Sequence, residues 1–80
     1  SPGCALSVCS DIYHKLKQRE YIMQWKGAKA FEIIIHNKQT IIVYRGAIVL
    51  ASWDMIMHEM DKNTCPVEFR FWLVETYSSQ

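Results

Sequence analysis

Cysteine is scarce in this 80-residue chain and odd in number, with only Cys4, Cys9 and Cys65. Small secreted scaffolds use even sets of cysteines, so a disulfide framework is not expected and a reducing compartment is favoured. Glycine is as sparse, at Gly3, Gly27 and Gly46, which leaves no glycine-rich loop to cradle a phosphate. An excess of one charge is missing too: nine Lys and Arg against eight Asp and Glu give +1, too little for a dedicated binder of phosphate backbones. No apolar run approaches the roughly 20 residues of a membrane span, and no charged and apolar leader precedes a cleavage site. Ser1-Pro2-Gly3, without Met, reads as a processed or internal end, so localisation signals are expected outside the chain.

Apolar material, by contrast, is plentiful: half of the residues are hydrophobic, and three Trp, four Tyr and three Phe are among them. That suffices for one packed domain, 1–80, and the length excludes a two-domain enzyme. A chain this short buries only about 60–65% of its unfolded surface, so a partner or a second copy is expected to cover the remainder. Charge is unevenly spread: seven of the nine basic residues lie at or before Arg45, and five of the eight acids after it.

The pattern predicts an α+β fold in three stretches. Leu6, Cys9, Tyr13 and Leu16 recur at helical spacing, supported by Ile12, and mark an N-terminal helix within residues 1–19. Residues 20–51 read as an antiparallel meander of three to four strands. Glu20 to Lys26 ends at Gly27, Phe31 to Ile35 and Thr40 to Tyr44 flank a turn at His36-Asn37-Lys38-Gln39, and Ala47 to Ala51 follows Gly46. Residues 52–80 form a helical region: Ser52 caps a short helix that Asp61 to Thr64 breaks, and a C-terminal helix starting at Pro66 packs on the sheet. In that last segment Val67, Phe69, Phe71 and Leu73 also alternate as in a strand, but Phe69, Trp72, Leu73, Thr76 and Tyr77 share one helical stripe.

No constellation assigns catalysis, a metal or a cofactor. Cys4, Cys9 and His14 lack the paired knuckles of a zinc site, and Cys9 on the apolar stripe reads as an ordinary core thiol. Cys65 with His36 or His58 would make a thiol–imidazole pair, yet nothing in the spacing positions them. Asp54 and Glu59, five apart, do not face each other on a helix. The readings that remain concern binding. Phe69, Trp72, Leu73 and Tyr77 form a stripe suited to a protein partner or homodimer, since Trp and Tyr are common interface anchors. The secondary reading is a nucleic-acid module, with Tyr21, Trp25 and Tyr44 stacking bases from a sheet face while Lys26, Lys29 and Lys38 contact phosphates.

Two stretches resemble the chromo superfamily, which comprises chromodomains and chromo shadow domains. Glu20-Tyr21-Ile22-Met23-Gln24-Trp25-Lys26-Gly27 is similar to the strand ending in Trp-Lys-Gly, and Cys65-Pro66 followed by Phe69, Trp72, Leu73 and Glu75 to the start of the C-terminal helix. An alternative register takes Thr40 to Arg45 as that strand, with Tyr44 in place of Trp. The resemblance implies an adaptor in chromatin, in the nucleus rather than the cytoplasm. Trp25 would take one position of a methyl-lysine cage, where Ala28 stands in place of an aromatic. Phe69, Leu73 and Tyr77 would form a twofold helix contact, where Arg70 replaces an aliphatic residue. What it implies in common is a non-catalytic protein-interaction module, chromo-shadow-like and dimerising.

Overall fold

Three pairs of consecutive left-handed residues shape the middle of the chain. Lys29-Ala30 (φ 58° and 61°), Asn37-Lys38 (54° and 67°) and Arg45-Gly46 (50° and 83°) stand at regular eight-residue intervals. Two adjacent residues at positive φ twist a tight reversal in the same sense as the strands it joins. The chain therefore folds back on itself three times. A computed structural model describes residues 4–63 and 66–80. In it the strands β1 (Met23–Lys26), β2 (Glu32–His36), β3 (Gln39–Tyr44) and β4 (Ala47–Leu50) form one antiparallel sheet in the order β1-β2-β3-β4. The second and third reversals are two-residue loops between His36 and Gln39 and between Tyr44 and Ala47. A 3-10 turn, Ala28–Ala30, makes the first, closed by the Gly27 N–H donating to the Phe31 carbonyl at 2.7 Å.

The meander has α1 (Leu6–Lys17) before it and α2 (Trp53–Asn63) and α3 (Pro66–Ser78) after it, the α+β arrangement that the sequence predicts. In α1, Cys9, Tyr13 and Leu16 are buried on one stripe, while His14, Lys15 and Lys17 in the last turn face the negative end of the helix dipole. Ser52 caps α2, its hydroxyl accepting from the Met55 N–H at 3.3 Å, and Asp54 adds a negative charge to the first turn. This helix runs on to Asn63, past the break expected at Asp61 to Thr64. Polar side chains alone do not stop a helix when neither Gly nor Pro interrupts it. Pro66 opens α3, where its missing N–H costs nothing.

All the helices lie on one face of the sheet. The register places Met23, Trp25, Ile33, Ile35, Thr40 and Ile42 on that face, and all six are buried. Phe69 sits at the centre. All three tryptophans surround it, with ring centroids 5.2 Å (Trp25), 5.7 Å (Trp72) and 6.5 Å (Trp53) away. Helices α1 and α3 run side by side in the same direction. The Arg70 guanidinium near the start of α3 donates from Nε to the Cys4 carbonyl at 2.8 Å, and Nη2 also donates to it; Lys15 lies 5.8 Å from the centre of the Tyr77 ring; Arg19 reaches Gln80 at 3.1 Å.

Cys4 and Cys9 form a disulfide, their Cα atoms 5.4 Å apart. This corrects the reading of Cys9 as a free core thiol: one residue before α1 and one in its first turns, the two face each other across a single helical turn. Cys65 lies outside the described residues, as does any pairing of it with His36 or His58.

Candidate functional site

The C-terminal stripe belongs to the core. Phe69 and Leu73 have 0% exposure, and Trp72 and Tyr77 are partly buried against the same cluster. The physical reason is the aromatic packing around Phe69, which uses up the α3 stripe inside the chain, so Phe69 and Leu73 offer nothing to a partner. The stacking platform fares similarly. Trp25 is only 7% exposed on the helix-covered face, and Tyr44, on that face too, packs edge-on against Phe31 at 5.9 Å. Tyr21 is exposed but precedes the sheet. A base cannot reach both rings of such a pair from solvent.

The other face of the sheet carries no helix. Its residues fall in two rows across the strands: Gln24, Ile34, Ile41 and Leu50, then Lys26, Glu32, Val43 and Ile48. Polarity is graded along both. At the β1 side Gln24 donates to the Glu32 carboxylate at 2.5 Å, so polar groups there satisfy one another. Towards β4 every residue is aliphatic. Ile34, Ile41 and Val43 are half-buried by their neighbours, whereas Ile48 and Leu50 are 68% and 64% exposed.

The two edges of the sheet differ in the same sense. An antiparallel strand directs alternate backbone N–H and C=O pairs to alternate sides. The Ala51 N–H donates to the Thr40 carbonyl at 2.9 Å, which assigns odd-numbered residues of β4 to β3 and leaves Ile48 and Leu50 with backbone groups on the free edge. On β1 the Gly27 bond to Phe31 sets the same parity, and the free-edge positions are Gln24 and Lys26. Lysine on an edge discourages further pairing. β4 carries no charge, no proline and four exposed residues. Beside it, on the helix side, a groove of about 220 Å³ opens between β4 and α2, lined by Ile42, Tyr44, Ala47, Val49, Met55 and Glu59.

Chemistry of other kinds finds little here. Asp54, His58 and Glu59 meet with Met55 only in a shallow open depression on α2. No group of three His, Cys, Asp or Glu side chains converges among the described residues, and no helix among them is long and apolar enough to cross a membrane.

The sequence reading misses Ile34, Ile41, Val43, Ile48 and Leu50, although a signal for them is present. Ile33-Ile34-Ile35, Ile41-Ile42-Val43 and Ala47 to Leu50 are apolar at both parities. Strands of that kind belong to sheets covered on both faces. Helices on one face only leave the second set without a cover. No family model, curated protein or solved structure matches the chain.

Proposed function

We propose that the chain is a non-catalytic protein-interaction domain that docks its partner along β4 and the aliphatic surface beside it. One observation carries this reading: among the described residues, the sheet edge without a guarding charge adjoins the sheet face without a cover, at Ile48 and Leu50. The largest contiguous apolar patch on a domain is often its interaction site. A strand edge supplies main-chain hydrogen bonds for affinity while the side chains beside it supply specificity. The chromo-like motifs at Glu20 to Gly27 and around Pro66 support the same class of role, an adaptor in chromatin, with the contact moved from the C-terminal helix to the sheet.

The test is the double variant Ile48→Lys with Leu50→Lys. Both side chains point away from the core, so the variant should keep the circular dichroism and melting behaviour of the wild type. Burial of each aliphatic side chain in an interface is worth about 1.5–3 kcal/mol. Photo-crosslinked capture from nuclear extract should accordingly fall tenfold or more. An unchanged set and yield of captured proteins would refute a β4 docking site.

A further inference from the structure

We propose that the partner of β4 is a second copy of this chain, paired antiparallel to the first about a twofold axis at Val49, so that two four-stranded sheets become one of eight strands. The proposal rests on the interaction reading above and names the occupant of the β4 edge.

Register follows from which backbone groups are free. Only Ile48 and Leu50 within β4 direct N–H and C=O outward. Two copies satisfy both residues at once when Ile48 of one lies opposite Leu50 of the other, each such pair exchanging two hydrogen bonds. Opposite residues in an antiparallel pair point to the same face, so Ile48 and Leu50 of both copies then adjoin. They extend the aliphatic surface of Ile34, Ile41 and Val43 without interruption. No charged side chain occupies β4 to repel its own image. Instead the Arg45 end of one strand meets the start of α2 in the second copy, where Asp54 stands, so opposite charges approach at both ends of the joint.

Exposure at the joint agrees with a twofold contact: Ile48, Val49 and Leu50 are 68%, 47% and 64% exposed, and pairing brings the flanks of all three against their counterparts in the second copy. The four outward groups of Ile48 and Leu50, two N–H and two C=O, are met in full by the same four groups of the second copy, so the edge is its own complement.

The experiment uses the purified chain with Cys65→Ser to remove one thiol. Sedimentation equilibrium at about 100 µM should give twice the monomer mass, and Ile48→Lys with Leu50→Lys should return it to the monomer. Under mild oxidation Val49→Cys should crosslink the copies quantitatively, because position 49 faces itself across the axis with Cα atoms about 4.5 Å apart, inside the disulfide range. Ile48→Cys should not, since the two positions 48 lie about 8 Å apart. A monomer at this concentration overturns self-pairing. If capture of another protein by β4 then persists, the interaction reading stands, and if it is also lost, both fail. A dimer indifferent to the lysine substitutions, or a crosslink through Ile48→Cys in place of Val49→Cys, overturns the β4 register.

Discussion

Tyr13 and Thr40 make a fully buried polar contact between α1 and the sheet, hydroxyl to hydroxyl at 2.5 Å. Neither can find water: Tyr13 has no exposed surface and Thr40 has 2%. Burial raises the Tyr13 pKa above its ordinary 10.0, and the hydrogen bond to Thr40 opposes that rise only in part. Above the unfolded pKa near 10 the unfolded chain loses this proton while the folded chain keeps it, so stability is intact below that pH and falls above it by about 1.4 kcal/mol per pH unit until the folded group ionises. Tyr13→Phe should cost about 1–3 kcal/mol at pH 7, because the buried Thr40 hydroxyl loses its partner. The variant should also lose this part of the alkaline slope. Denaturant titrations between pH 8 and 11 check both, and an unaltered slope in Tyr13→Phe would assign the alkaline loss elsewhere.

The three reversals set the handedness of the meander, and each uses at least one residue that resists the backbone it adopts: Lys29 and Ala30, Lys38, and Arg45. Lys38 at φ 67° follows Asn37, where glycine is the favoured second residue of such a turn. Lys38→Gly should therefore raise stability by roughly 0.5–1 kcal/mol. Gly46→Ala should lower it by about 1 kcal/mol through φ 83° alone, since an added Cβ meets nothing within 4 Å. Chevron or equilibrium urea curves would show the opposite signs. Strands β2 to β4 are legible because β-branched runs are cut by Asn37-Lys38 and Gly46. The Lys29-Ala30 reversal is not, because neither residue favours positive φ and the pairing of β1 with β2 imposes it. The start of α3 is legible from Pro66. Phe69 and Phe71 also suit a strand, and the choice of helix is fixed by packing: a helix places Phe69, Trp72 and Leu73 together against Trp25 and Trp53. β1 starts at Met23, not Glu20, because Ile35, near the end of β2, is its last partner in the ladder.

At the scale of the molecule, three Trp and a C-terminal aromatic stripe in so short a chain suggest an excess that another protein must cover. The apolar surface that the fold leaves exposed lies elsewhere. Most of the aromatics pack in the chain's own core, Tyr21 and Phe71 excepted, and the exposed apolar residues on the open face of the sheet are aliphatics. Composition carries no information on which face the helices take, so the sequence alone could not separate Ile33 and Ile35 from Ile34. A domain of this size holds only about 4–12 kcal/mol of stability. Phe69→Ala, which opens the aromatic centre, should cost about 3–5 kcal/mol, a large share of that, and lower the melting temperature by more than about 10 °C. A melting temperature within a few degrees of the wild type would remove Phe69 from that central role. The parallel run of α1 and α3 has a mechanical corollary. The Cys4 end of one helix and the Gln80 end of the other lie at opposite limits of the pair, so tension between them slides the helices past each other along their length. Contacts loaded in shear give way together, whereas those of a hairpin peel one turn at a time, so a pull on its two ends meets the fold in its stiffer direction.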